Sequence, residues 1–215
     1  MMTRSQPEFL NSLVADLEPV SPLGNWQATG GLVALVLAGL TAVALLLGVR
    51  ADVLAGTPDP VFLLRGGVLL MLGSISAASA LAMARPVVGR NDRSWAGAVA
   101  MAAVVPAVAL VYALIDPGAA AREVWWSSAI LCLGVSLSAA TGFAAIIVWS
   151  LRRGAPVLPE RAGWVTGLAA GSLGTLVYSL YCPASSITYI GLWYTLVIAI
   201  AAVTARLTVP LLIRW

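Results

Sequence analysis

Apolar runs of about 20 residues follow one another along this chain, and they constrain its fold more than any other feature. Short turn-forming segments such as Thr57-Pro58-Asp59-Pro60 and Asp116-Pro117-Gly118 separate them. Of the 215 residues, 60% are hydrophobic and only 10% are charged, and the mean hydropathy is +0.96. Because a bilayer core of roughly 30 Å needs a helix of about 20 apolar residues, the sequence predicts an all-α, polytopic membrane protein.

Six membrane-spanning helices are predicted with a hydropathy window of about 19 residues. They lie at 27–49, 61–84, 94–115, 125–150, 160–181 and 187–210. Residues 27–215 then form one transmembrane bundle, and residues 1–26 form a short amphipathic segment before it. No second, water-soluble domain is expected, because the loops are short. No signal peptide is expected either, because the N-terminal residues lack a basic start followed by an apolar run.

The arginine positions predict the orientation of the bundle. All cationic side chains are Arg, which together with helices rich in Ala, Val, Leu and Gly indicates a bacterial, high-GC genome. If the N-terminus is cytoplasmic, the inner segments hold Arg4, Arg85, Arg90, Arg93, Arg152, Arg153, Arg161 and Arg214. Only Arg50 and Arg122 then fall in outer loops, so both termini are predicted to be cytoplasmic. Arg65 and Arg206 lie inside spans near an end, and we expect both to extend to the membrane surface.

The residue types that catalysis or ion transport requires are scarce. The chain has no His, the commonest acid–base group and metal ligand. It has no nucleotide-binding loop and no paired carboxylates within a span. No Asp or Glu falls at the middle of the membrane, which argues against an ion-coupled transporter. These observations predict a protein that is not an enzyme and uses no cofactor.

Cys132 and Cys182 are the two cysteines of the chain and its candidate chemical site. On the predicted topology Cys132 lies about two turns into the fourth span and Cys182 ends the fifth, so both belong to the outer half of the membrane. A disulfide can persist on that side of a bacterial membrane, but Cys182 would have to dip inward to reach Cys132. Two thiols also suit a soft metal ion. The alternative is that each cysteine is a small apolar packing residue.

The N-terminal segment carries an apolar stripe that has no partner in the predicted bundle. The stripe recurs at helical spacing and consists of Phe9, Leu10, Leu13, Val14 and Leu17. Asp16 belongs to the polar side, and Pro19 and Pro22 end the helix. Because this side is acidic, we expect no attraction to an anionic membrane, and a groove on a cytoplasmic protein fits better. Packing against the chain's own loops is the alternative.

Specific stretches of the chain carry a family resemblance. They are Asp16-Leu17-Glu18-Pro19-Val20-Ser21-Pro22-Leu23, Trp149-Ser150-Leu151-Arg152-Arg153-Gly154-Ala155-Pro156, Tyr178-Ser179-Leu180-Tyr181-Cys182-Pro183, Leu192-Trp193-Tyr194-Thr195-Leu196 and Leu211-Leu212-Ile213-Arg214-Trp215. In order and spacing these stretches resemble the NrsF-type (negative regulator of sigma F) six-span membrane anti-sigma factors, over nearly the whole chain. One position departs from the family. Relatives commonly have His before the second cysteine, where this chain has Tyr181, which weakens a metal site that used that His.

The resemblance implies a function that composition does not reveal. Such proteins hold an extracytoplasmic-function sigma factor at the membrane and release it under heavy-metal or oxidative stress, without binding nucleic acid directly. For this chain it implies that Cys132 and Cys182 sense the stress and that the tail binds the sigma factor. The tail residues concerned are Phe9, Leu10, Leu13, Val14, Asp16, Leu17, Pro19, Val20, Pro22 and Leu23. The alternatives are a small transporter component and a structural subunit of a membrane complex.

Overall fold

The structure is a computed structural model and describes residues 26–84, 94–118, 121, 129–154, 156 and 158–213. Its regular secondary structure is helical, and these residues contain no strand. The helices are α1 (Trp26–Leu46), α2 (Ala51–Leu54), α3 (Pro60–Met83), α4 (Ser94–Ile115), α5 (Ala129–Arg153), α6 (Pro159–Ser179) and α7 (Ile187–Leu212). Within α7, the segment Ile190–Tyr194 is a π-helix.

A helix lies at each of the six predicted spans, and the short α2 is an addition to them. Four of the helices, α1, α3, α5 and α7, are long and apolar enough to cross a membrane. At α4, a shorter apolar helix, Ala100–Ile115, is found among the described residues. The all-α membrane class therefore agrees with the prediction, whereas the count of six spans stays a prediction. The predicted tail, including Phe9 to Leu23, lies outside the described residues.

The central helix of the bundle is α6, and α3, α5 and α7 all pack against it. Almost every side chain from Ala162 to Ser179 is buried. A helix that its neighbours shield from lipid needs no long apolar side chains, and α6 is accordingly rich in Gly, Ala, Ser and Thr. This explains why α6 is less apolar than the other long helices although it has the length of a span.

Glycines on α6 allow its neighbours to approach closely. A Cβ atom added to Gly167 would lie 2.4 Å from the Cα atom of Ala202 in α7, and Gly171 is similarly tight against α7. Gly174 faces α5 instead, where an added Cβ would lie 2.4 Å from the carbonyl oxygen of Ser136. These distances are shorter than real Cβ contacts, so any side chain would force the helices apart. Gly167 and Gly171 lie four residues apart, and this spacing places both on the side of α6 that faces α7.

Two buried clusters of side chains form the interior. One is built around Phe143, Ile147 and Leu151 of α5, which pack on α6. The other lies where α6 ends and α7 begins, and it contains the aromatic side chains of that turn together with both cysteines. The second cluster positions the candidate site.

Candidate functional site

Cys132 and Cys182 come together in the same buried cluster, at the end of the bundle where α5 begins. Each is fully buried, with 0% of its surface exposed, and each thiol is free. Three tyrosines belong to the same cluster, Tyr178, Tyr189 and Tyr194. Cys132 and Cys182 are 50 residues apart in the chain, and the fold brings them into this one cluster. The inward dip of Cys182 that a disulfide would require stays a prediction.

The loop at residues 180–186 carries Cys182 and joins α6 to α7. At its start the backbone N–H of Cys182 donates to the carbonyl of Tyr178 at 3.3 Å, which closes the last turn of α6. At its end the hydroxyl of Ser186 accepts from the backbone N–H of Tyr189 at 3.3 Å and caps α7. The loop is thus tied to both helices, and further contacts hold its carbonyl groups.

Two buried arginines bind the backbone around Cys182. Arg65 of α3 donates from Nη1 to the carbonyl of Ala184 at 2.5 Å, and from Nη2 to the carbonyls of Ser179 at 3.0 Å and Cys182 at 2.8 Å. Arg50, just before α2, donates from Nη1 to the same Cys182 carbonyl at 2.6 Å. One carbonyl oxygen therefore accepts from both guanidinium groups. We refer to Arg50 and Arg65 as the arginine clamp.

The burial of Arg65 corrects an expectation from the sequence. Only 5% of its surface is exposed, so the prediction that Arg65 extends to the membrane surface is wrong. Among the described residues no carboxylate pairs with it. The three carbonyl dipoles compensate its charge, as do the rings of Phe62 and Tyr194, whose centroids lie 5.4 and 5.8 Å from Cζ. The three carbonyls give the buried guanidinium group hydrogen bonds that it would otherwise form at the membrane surface.

Arg50 is held in place by a carboxylate. Its Nε and Nη2 donate to the two carboxylate oxygens of Asp52 at 2.9 and 3.0 Å, which is a bidentate pair. The hydrogen bond to Asp52 raises the pKa of Arg50, and the same bond lowers the pKa of Asp52 well below its usual range. Both groups are consequently charged at neutral pH, and the pair orients Arg50 toward the Cys182 carbonyl.

Asp59 connects the loop to the beginning of α3. Its carboxylate accepts from the hydroxyl of Ser185 at 2.6 Å and from the backbone N–H of Val61 at 2.8 Å, which caps α3. The bond from Ser185, followed by the bond from Val61, lowers the pKa of Asp59. The backbone N–H of Asp59 donates in turn to Asp52 at 3.0 Å. A single hydrogen-bonded network thus joins α2, α3 and the loop around Cys182.

Sequence reasoning found the cysteines of this site but not its charged residues. The sequence predicts an outer-loop position for Arg50 and a surface position for Arg65. It predicts no role for Asp52 or Asp59. A signal was present, because four charges fall within residues 50–65 of a chain that is only 10% charged. The two arginines bind a set of backbone carbonyls, which cannot be recognised from residue types because every residue has one.

The described residues do not include a group of three or more His, Cys, Asp and Glu side chains that could hold a metal ion. Cys132 and Cys182 can therefore act as metal ligands only as a pair, with the coordination completed by other donors. Tyr181, which precedes Cys182, supplies no imidazole. The alternative chemistry is thiol oxidation, which requires the two sulfur atoms and an oxidant.

Comparison with known proteins identifies the family. The family model for NrsF, described as the negative regulator of sigma F, matches residues 13–215. This range begins in the predicted tail and includes the arginine clamp and both cysteines.

The chain belongs to the NrsF family. It is 30% identical to the anti-sigma-F factor NrsF of Caulobacter vibrioides (strain NA1000 / CB15N) over 225 aligned residues, which cover 97% of this chain and 98% of that relative. It is 31% identical to the probable anti-sigma-F factor NrsF of Azospira oryzae (strain ATCC BAA-33 / DSM 13638 / PS) over 186 residues, covering 83% and 84%. No solved structure matches the chain significantly. The NrsF resemblance seen in the sequence is confirmed, and it favours regulation over a transporter component or a structural subunit.

Proposed function

We propose that this chain is an inner-membrane anti-sigma factor that senses stress at its two cysteines. Its cytoplasmic tail binds an extracytoplasmic-function sigma factor, and reaction of Cys132 and Cys182 with an oxidant or a metal ion releases it. Family membership supports the anti-sigma role. The observation that carries the sensing role is that both thiols are buried in one cluster while the arginine clamp holds the Cys182 carbonyl.

The chemistry proposed at the thiols needs no catalytic residue. When hydrogen peroxide oxidises both thiols, one S–S bond replaces the two S–H bonds, and the peroxide takes up the two protons and two electrons, its O–O bond breaks and it leaves as two water molecules. A soft metal ion would instead displace the two protons and bind both sulfur atoms. Because Cys132 and Cys182 are fully buried and the interior is close-packed, either product displaces neighbouring side chains.

The arginine clamp provides a route from Cys182 to the remainder of the bundle. A displacement of the loop at residues 180–186 acts on Arg65 in α3 and on Arg50 beside α2, because both bind the Cys182 carbonyl. It also acts on α6, which contacts α3, α5 and α7. Changing the sigma factor from mostly bound to mostly free takes roughly 5 kcal/mol of differential stabilisation. A disulfide contributes about 2–4 kcal/mol, which is of the same order.

Capture of the sigma factor tests the tail. The full chain is co-expressed with the sigma factor encoded beside it, and the membrane fraction is assayed for that factor. We expect Leu13→Asp and Leu17→Asp to abolish capture, because both place a charge on the apolar stripe. Asn11→Asp is the matched control, since it adds the same charge on the opposite side of the predicted helix and should leave capture intact. Undiminished capture by Leu13→Asp and Leu17→Asp would exclude the tail as the contact.

A further inference from the structure

A groove between α5 and α7 is open to the outside of the bundle, and the anti-sigma role makes no use of it. Its volume is about 590 Å³. Residues 137–152 of α5 and 200–212 of α7 form its walls, and Gly167 and Ala170 of α6 form its floor. The groove therefore occupies the half of the bundle that is predicted to face the cytoplasm, opposite to the cysteines.

Small side chains create this groove. Both α5 and α7 pack along α6, yet they contact one another far less than either contacts α6. Alanines stand where larger side chains would close the gap, at Ala140 and Ala144 on α5 and at Ala201 and Ala205 on α7. The gap is thus a consequence of the same small-residue packing that brings the helices together around α6.

The lining of the groove suits hydrocarbon. Apart from threonines and the residues at its inner mouth, the lining is apolar. The hydroxyl of Thr141 donates to the carbonyl of Ser138 at 2.7 Å, and that of Thr208 donates to the carbonyl of Thr204 at 2.8 Å. Because these hydroxyls already bond within their own helices, a polar guest would gain few hydrogen bonds in exchange for its lost hydration.

The inner mouth of the groove is cationic. Arg152 lines it and is exposed, and no carboxylate of the described residues forms an ion pair with Arg152. The adjacent Arg153 is placed differently, because its Cζ atom lies 3.9 Å from the ring centroid of Trp149. The apolar groove thus ends at Arg152, whose positive charge no carboxylate of the described residues compensates.

We propose that this groove binds one anionic phospholipid. An acyl chain lies between α5 and α7 on the α6 floor, and the phosphate group binds Arg152. The volume falls within the range of about 300–1,000 Å³ that is usual for ligand pockets. Basic pockets between transmembrane helices on the cytoplasmic side are typical sites for anionic headgroups. A helix of a second copy is too large, because a cylinder about 10 Å wide and 30 Å long displaces roughly 2,000 Å³.

Native mass spectrometry of the full-length chain tests this site. The chain is purified in detergent and offered phosphatidylglycerol or phosphatidylcholine with identical acyl chains. We expect a complex with one lipid molecule. It should form about fivefold more readily with phosphatidylglycerol than with phosphatidylcholine, because one arginine attracts the anionic headgroup. Arg152→Gln should abolish this preference. Arg153→Gln, which removes the same charge one residue away, should retain most of it.

A second variant separates the groove from the general charge of the surface. Ala145 is an exposed wall residue, so Ala145→Phe should fill the groove without disturbing the interior and should reduce retention of both lipids. Circular dichroism confirms that each variant is folded. Equal retention of the two lipids by the natural chain, or equal losses in Arg152→Gln and Arg153→Gln, would overturn the proposal. A lipid-independent dimer that Ala145→Phe disrupts would also overturn it, because a second copy would then occupy the groove.

Discussion

Arg65 donates a hydrogen bond of 2.8 Å to the backbone carbonyl of Cys182, and Arg50 donates to the same oxygen at 2.6 Å. The residue that carries one of the two thiols is therefore fixed through its backbone rather than through its side chain. The two arginines do not bind its sulfur atom, but any reaction that moves the loop must break charge-assisted hydrogen bonds.

Replacement of Arg65 should destabilise the bundle. Arg65→Met removes the donor from three buried carbonyls, and we expect the free energy of unfolding to fall by about 2–3 kcal/mol. Arg65→Lys should cost less, although an ammonium group cannot reproduce the planar fork. Thermal unfolding in detergent measures both effects. Arg206→Gln is the control, because its ion pair with Glu160 at 3.1 Å is exposed and should contribute less than about 1 kcal/mol. A comparable loss in Arg206→Gln would contradict a special role for the clamp.

The arginine clamp should also protect the Cys182 thiol from reagents. In a Cys132→Ser background, where Cys182 is the remaining thiol, we expect slow alkylation by a maleimide because Cys182 is fully buried. Arg50→Gln removes one charged hydrogen bond to the loop and should accelerate alkylation by about tenfold or more. Mass spectrometry of timed samples gives the rate. Arg153→Gln, at the opposite end of the bundle, should leave the rate unchanged, and equal rates in all three proteins would exclude protection by the clamp.

The two cysteines should be required for induction. We expect Cys132→Ser and Cys182→Ser each to reduce the response of a sigma-dependent reporter to metal or oxidant, because either product joins both sulfur atoms. The reporter is measured in cells, with the amount of each variant in the membrane determined by immunoblot. Ser138→Ala on the exposed side of α5 is a control for substitution in that helix. Normal induction in the double cysteine variant would remove the thiols from the mechanism.

The Arg50–Asp52 pair should contribute the same stability over the neutral and mildly acidic range. The pKa of Asp52 is lower in the folded protein than its ordinary value of 3.8, so the carboxylate stabilises the fold above that value and loses its effect as pH falls through the lowered pKa. Asp52→Asn should therefore lower the melting temperature equally at about pH 8 and about pH 5.5, with the difference shrinking only below about pH 4. Thermal unfolding across this range measures it. A difference that already shrinks by pH 5.5 would mean that another group controls the pair.

The helices could be predicted from sequence because their signal is local. A helix lies at every span that hydropathy predicts. The position of α6 at the centre of the bundle was not predicted, because small residues suit a buried helix and a helix pair equally. The charge positions still predict the orientation of the bundle.

The candidate site could be predicted only in part, for a physical reason. Cysteines are few and chemically distinctive, so Cys132 and Cys182 can be identified as candidate site residues from the sequence alone. The clamp depends on tertiary structure, since Arg65 binds carbonyl groups of Ser179, Cys182 and Ala184 that lie far along the chain. Any residue type presents such carbonyls, and their direction is set by the turn that ends α6. The position of Arg65 near the end of a span therefore predicts a surface side chain, whereas the loop carbonyls bind it inside the bundle.

The glycines of α6 have a mechanical consequence. At Gly167 and Gly171 the backbones of α6 and α7 meet with no side chain between them, and at Gly174 the backbone of α5 is equally near. Side chains can change rotamer and absorb a shift, but backbones in direct contact cannot. A shift at one end of α6 is therefore passed on as the movement of a stiff rod about 30 Å long. A rod of this length can carry a displacement from one end of the bundle to the other through direct contact between backbones.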